Sequence, residues 1–254
     1  MKNMQVIEYW RKKYLTEAMV VIALALLAIG VFVIYIGDGN FKLLFSFLAV
    51  FFAYLMLKEL RDDLQTRGEN VILGQNEADF EKLEFDFGRG IDEKQLVELT
   101  SLPAYQVREC GNVMKQKGFI WEEDWLYSVI SAKFLSFNQT TFLGIILRID
   151  VPGIDKNLTG VIEQNGDKVV ILGDLSDKLK KEGYALVFGE MLKVFGVHKI
   201  KVEVNRGQMY FLIKTRKHLF YQLSLLKPCE PQKFAAQVKR WQEMGLKLEQ
   251  WLNG

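Results

Sequence analysis

Histidine, cysteine and proline are scarce in this chain of 254 residues, which has two, two and four of them. Two cysteines, Cys110 and Cys229, build no disulfide framework and agree with a reducing compartment. Neither has a histidine close in sequence, so nucleophile and metal-ligand roles lack their usual companions. His198 precedes a strand-like segment and His218 sits in "KTRKHLF"; both read as surface or half-buried polar residues. The sequence also lacks a P-loop, a Gly-x-Ser-x-Gly elbow, a His-Glu-x-x-His pair and a Cys-x-x-Cys pair. These absences argue against an enzyme, and no cofactor or metal is expected. One carboxylate cluster has aromatic neighbours: Glu122-Glu123-Asp124, between Trp121 and Trp125. It reads either as a site for a cation or basic partner or, more simply, as a polar turn between strands.

What the chain has in abundance is apolar residues, half of the total, concentrated near the N-terminus. Ala18 to Ile36 carries no charge and, at about 1.5 Å per helical residue, reaches about 28 Å, close to a bilayer's hydrocarbon core. Leu43 to Leu57 contains only Ser46 as a polar residue, and Phe41 and a snorkelling Lys42 extend it. A cleaved signal peptide fits poorly, because its apolar region is shorter and is not followed at once by a second run. A hairpin of two transmembrane helices, about 15–36 and 41–58, is expected, with Gly37-Asp38-Gly39-Asn40 as its turn. Ala23, Gly30 and Gly37 on the first helix, and Ser46, Ala49 and Ala53 on the second, are candidate close-packing faces.

Lys2, Arg11, Lys12 and Lys13 precede the hairpin, and Lys58, Arg61 and Arg67 follow it. The positive-inside rule then places both termini in the cytoplasm and the protein in the inner (plasma) membrane as a multi-pass protein. The expected division is a transmembrane hairpin over 1–60, an acidic connector over 61–91 and a cytoplasmic domain over 92–254. From residue 58 onward, acidic and basic side chains balance, a poor composition for binding nucleic acid. Acids predominate in 59–98. The bases cluster later, in a possible interaction patch of Lys199, Lys201, Arg206, Lys214, Arg216 and Lys217. That patch could face anionic lipid, pair with the acidic segment or form a solvated face.

The fold expected for the later region is α+β: an antiparallel sheet with flanking helices, covered on one side. Asp92 caps a short helix to Leu102, with Pro103 beyond it. "TGVIEQNGDKVVILGD" reads as a hairpin turning at Asn165-Gly166, with Glu163 opposite Lys168. "KIKVEVNRGQMYFLIK" reads as a second hairpin turning at Arg206-Gly207. Its register sets Val204 opposite Met209, Val202 opposite Phe211 and Ile200 opposite Ile213, with Lys199, Lys201 and Glu203 outward and Lys199 opposite Lys214. Ser128–Phe137 and Thr141–Ile149 flank Asn138-Gln139-Thr140 as a third pair. Ser176 to Phe195 reads as one helix despite Gly183 and Gly189. Phe234, Val238, Trp241, Gly245, Leu248 and Leu252 form the apolar stripe of a last helix that docks on the sheet.

The stretches "GIDEKQLVEL", "WEEDWL", "FLGIILRID" and "IKVEVNRGQMYFLIKTRKHLF", in this order after a two-helix anchor, resemble the bacterial membrane proteins grouped as domain of unknown function 3137. The elements that carry the resemblance are Glu123-Asp124-Trp125, the Phe-x-Gly strand after it and Leu219-Phe220 at the end of the late hairpin. The chain departs from that family in its short "FNQTT" connection. The resemblance implies a membrane-anchored domain and carries no activity with it. Two functions follow from the sequence. One is a non-enzymatic membrane-anchored protein whose cytoplasmic domain mediates protein–protein interaction or self-assembly. The other is a lipid binder or membrane enzyme with a pocket near the basic hairpin.

Overall fold

The computed structural model describes residues 2–36, 39–75, 83–88, 90–132, 135–154, 157–220, 223–228 and 230–254. The chain divides into a helical unit, 1–81 with 221–235, and a sheet unit, 82–220 with 236–254.

In the helical unit the two apolar runs sit inside longer helices, α1 (Lys2–Tyr35) and α2 (Gly39–Gln75). Gly37 and Asp38 of the expected turn lie outside the described residues, and Gly39 and Asn40 already belong to α2. Both helices are long and apolar enough to cross a membrane, and only 6% and 0% of their most apolar stretches is buried. The core helix of a soluble protein would hide this surface; here Leu27 and Phe47 are 65% and 66% exposed. The face α1 turns inward is not the expected one. Ala23 and Gly30 are exposed, whereas Val21, Ala25, Ala28 and Phe32 are partly covered, and Phe32 packs on Phe45 with ring centres 5.2 Å apart. On α2, the half-buried Ser46, Ala49 and Ala53 do mark the covered side. Small residues are common all round membrane helices, so a period of seven does not identify the contact face.

Polar contacts tie the helices together at their basic ends. Tyr14 donates to Asp63, Arg67 donates to the same carboxylate at 3.0 Å, and the Arg67 guanidinium lies 4.7 Å from the Trp10 ring centre. A strap over 223–227 joins this unit: Leu223 N donates to Gln65 Oε1 at 2.6 Å and Arg11 Nη1 to Leu225 O at 3.0 Å.

The sheet unit is α+β. Among the described residues its eight strands are β1 (Glu84–Phe87), β2 (Val107–Gln116), β3 (Phe119–Ala132), β4 (Leu135–Asp150), β5 (Leu158–Asn165), β6 (Lys168–Gly173), β7 (Lys199–Asn205) and β8 (Gln208–Lys214). All pairs are antiparallel, in the order β1-β2-β3-β4-β8-β7-β5-β6. The β7–β8 register is the expected one: Val202 faces Phe211 and Val204 faces Met209. Its two-residue turn needs left-handed backbone twice, and Arg206 and Gly207 sit at φ 51° and 74°.

Helices flank both faces, not one. On the first, Leu96 of α3 (Glu93–Val97), with Leu99 and Leu102, packs into a core with Leu126, Phe142, Ile146, Tyr210 and Leu212. Asp92 caps α3, accepting from Lys94 N at 2.9 Å. The second face is covered by α4 (Ser176–Leu179), α5 (Tyr184–Phe195) and the part of α6 (Pro231–Asn253) beyond residue 235. There the Trp241 ring stacks on Phe195 at 4.8 Å, and Trp121 Nε1 donates to Trp241 O at 3.1 Å. The stripe of α6 is buried as expected, and Leu252 at its end is half-buried.

Four expectations are corrected. The β5–β6 turn is Gly166-Asp167, so Glu163 faces Val170, not Lys168, and on its other side faces Lys199. Gly166 supplies the positive φ, 58°, as the first loop residue. The helix expected over Ser176–Phe195 breaks before α5, where Gly183 turns left-handed at φ 78°. Asn138-Gln139-Thr140 lies within β4, paired with Val129, Ser128 and Tyr127, and the pairing of β3 with β4 continues to Ala132 and Leu135. Here β3 and β4 run past the ends of their outer neighbours as a two-stranded arm on which Asn138, Gln139 and Thr140 are exposed. Finally, Glu122-Glu123-Asp124 is no turn: it is the middle of β3, and its three side chains are 0%, 2% and 0% exposed.

Candidate functional site

Gly196, left-handed at φ 64°, ends α5 and redirects the chain through Val197 and His198 into Lys199 at the start of β7. Across the sheet, Lys201 pairs with Leu212, and Lys214 closes β8 opposite Gly144. The alternation of strand side chains puts Lys201, Leu212 and Lys214 on one face, with Phe142. The loop after α3 forms the opposite wall, held by a residue expected to point into water. Glu203 is 2% exposed, and its carboxylate accepts from Thr100 N at 2.9 Å, Thr100 Oγ1 at 3.2 Å and Ser101 N at 2.7 Å. Ser101 O in turn accepts from Lys201 Nζ at 3.0 Å.

These pieces enclose a pocket of about 600 Å³ with Phe142 and Leu212 as apolar floor, Ser101 and Pro103 as wall, and Lys199, Lys201, Lys214 and His198 around it. The expected basic patch is thereby divided. Lys199, Lys201 and Lys214 share the pocket. Arg206 pairs with Glu98 at 2.8 Å, on a different cavity, and Lys217 Nζ is spent on Val194 O at 2.6 Å. Arg216 is exposed and does not line the pocket. Among the described residues, Arg206–Glu98 is the one ion pair between the patch and the acids of 59–98. Lys199, Lys214 and the His198 ring make no ion pair or hydrogen bond within the described residues, although Glu163 flanks Lys199 across the β5–β7 ladder. Sequence periodicity supplies Lys201 and Lys214. It gives no sign of His198, Ser101 or Phe142, which arrive from other elements.

A second polar cluster lies buried on the same face. Arg108, 11% exposed at its side chain, donates to Asp124 Oδ1 at 2.7 Å, to Glu122 and to Ile91 O at 2.9 Å; Ile91 N also donates to Glu122. A Cβ built on Gly90 would overlap the Glu122 carboxylate, so only glycine leaves it room. Burial pushes the Asp124 carboxyl up despite the guanidinium, and also raises the Cys110 thiol. Cys110, Glu122 and Asp124 lie within 4.8 Å of one another at their ligating atoms. Arg108 already supplies a positive charge to both carboxylates, and Asp124 Oδ2 is buried without a hydrogen-bond partner among the described residues. On the opposite face Glu123 bonds His218 Nδ1 and accepts from Asn112 Nδ2 at 3.1 Å, which makes His218 a half-buried partner of a buried acid. Cys229 lies outside the described residues.

No family model, no curated protein and no solved structure matches this chain.

Proposed function

We propose that α1 and α2 anchor the protein in a membrane and that its sheet unit binds an anionic, phosphate-bearing ligand in the lysine-lined pocket. One observation carries this reading: Lys199, Lys201, Lys214 and His198 surround a single cavity of about 600 Å³, a size common for small-molecule sites. Each ammonium offers three donors, and Lys201 has committed one of them to Ser101 O. Phosphate oxygens accept from several such donors at once, and charge-assisted bonds are about twice as strong as neutral ones. The apolar floor of Phe142 and Leu212 suits the carbon portion of a phosphate ester. The reading is of a binding protein without a cofactor, in the inner membrane with both termini cytoplasmic, as the basic flanks of the helices suggest. Membership in the family grouped as domain of unknown function 3137 belongs to the same proposal.

The test is calorimetric titration of the full chain in mild detergent with inorganic phosphate, glycerol phosphate and a short-chain phosphatidic acid. Saturable binding of at least one ester is expected. It should weaken about tenfold or more, ~1.4 kcal/mol, in Lys199→Glu/Lys214→Glu. A preference for the lipid identifies a headgroup, and equal binding of glycerol phosphate identifies a soluble ester. Heats that are absent for all three probes, or indifferent to the charge reversal, contradict the proposal.

A second reading, protein–protein assembly, rests on the β3–β4 arm. Ile130 and Phe137 on it are 49% and 56% exposed, and such apolar exposure on a projecting ribbon suits a partner strand or surface.

A further inference from the structure

A separate cavity of about 880 Å³ lies wholly within the helical unit. Leu15, Met19 and Ile22 of α1 and Leu57 of α2 give it apolar walls, and the strap over 223–227 borders it. Its cationic lining is concentrated where the apolar run of α2 ends: Lys58 follows Leu57, Arg61 lies about one turn further on, and Lys227 comes from the strap. No carboxylate lines it among the described residues, and Arg61 has only an exposed contact with Asp62 at 3.5 Å. Leu226, beside Lys227, is 80% exposed, an apolar side chain next to a cation on a strap tied to both helices.

We propose that this groove holds one phospholipid of net negative charge. Its acyl chain lies against Leu15, Met19 and Leu57, and its phosphate sits among Lys58, Arg61 and Lys227. The amphipathic order of the lining decides the occupant. Hydrocarbon-facing walls pass into a cationic rim at the level where a spanning helix leaves the bilayer core, the order of a lipid from chain to headgroup. A partner helix would need an apolar stripe along its whole length and would leave three cations facing it unpaired. The inference rests on the reading of α1 and α2 as spanning helices. It is independent of the lysine-lined pocket of the sheet unit.

The experiment is native mass spectrometry of the full chain released from mild detergent after addition of phosphatidylglycerol and phosphatidylcholine in equal amounts. One retained phosphatidylglycerol per chain is expected, at least about fivefold over phosphatidylcholine. That preference should disappear in Lys58→Gln/Lys227→Gln and persist in Lys199→Glu/Lys214→Glu. Equal retention of the two lipids, or a preference that survives Lys58→Gln/Lys227→Gln, overturns the proposal. So does a specific chain–chain dimer in place of the lipid. An alkaline carbonate wash of membranes separates failure of the premise: a protein released by it was not integral, and both readings of the helical unit fall together.

Discussion

Arg108 Nε donates to Asp124 Oδ1 at 2.7 Å, and the same guanidinium reaches Glu122, so one cation serves two carboxylates that are fully buried. Removing it strands both charges. Arg108→Met should therefore cost about 3–5 kcal/mol of unfolding free energy. Denaturant unfolding of the sheet unit's tryptophan signal checks this, and a loss below about 1 kcal/mol would mean the pair is not buried as described.

The same network gives a pH dependence with a defined sign. Burial raises the Asp124 carboxyl in the folded state above its ordinary value near 3.8. A group with a raised folded pKa favours the fold fully below its unfolded pKa and loses that contribution as pH rises through the folded value. Asp124→Asn keeps an acceptor for Arg108 and removes the titration. The stability of the variant relative to wild type should therefore increase from acid towards neutral pH. A difference that is flat with pH, or falls, would show that Asp124 ionises without penalty.

How much of this was legible in sequence depends on whether the determining partner is local. The β7–β8 hairpin could be read because Arg206-Gly207 is flanked by strict alternation, and only one register buries Val202 and Val204. The β5–β6 pairing shifted because Asn165 and Gly166 both tolerate left-handed backbone, and the composition of the turn does not choose between them. Glu122 and Asp124 looked like a turn because three acids in a row normally need water. Their partner, Arg108, lies on the preceding strand, and β2 carries a register shift between Cys110 and Val113 that no local pattern announces. The pocket was half visible. Lysines at alternate positions of β7 and β8 share a face by period, but a buried Glu203 that holds Ser101 in place is a tertiary fact.

The register itself makes a prediction. Val202 is fully buried opposite Phe211, so Val202→Asp should cost several kcal/mol and unfold the sheet unit at ambient temperature. Lys201→Asp, at an exposed residue bordering the pocket, loses the bond to Ser101 O and should cost only about 0.5–1.5 kcal/mol. Thermal unfolding of the two variants side by side measures the difference; equal losses would contradict the register.

Gly245 offers a test of α6 docking. In a free helix Gly→Ala is favourable by about 1 kcal/mol. Here a Cβ would lie 2.7 Å from the ring of Phe119, itself 1% exposed and unable to withdraw. Gly245→Ala should therefore destabilise, by about 1–3 kcal/mol. Stabilisation would show that α6 stands off the sheet.

The central claim is an anionic ligand at the pocket of Lys199, Lys201 and Lys214, and lysine footprinting tests it most directly. The full chain is acylated in limiting reagent with and without a saturating phosphate ester, and each lysine's modification is read by peptide mass spectrometry. The account predicts at least about fivefold protection of Lys199 and Lys214, with exposed lysines elsewhere, such as Lys178 and Lys239, unchanged. Protection spread evenly over the surface, or none at Lys199 and Lys214, would contradict it.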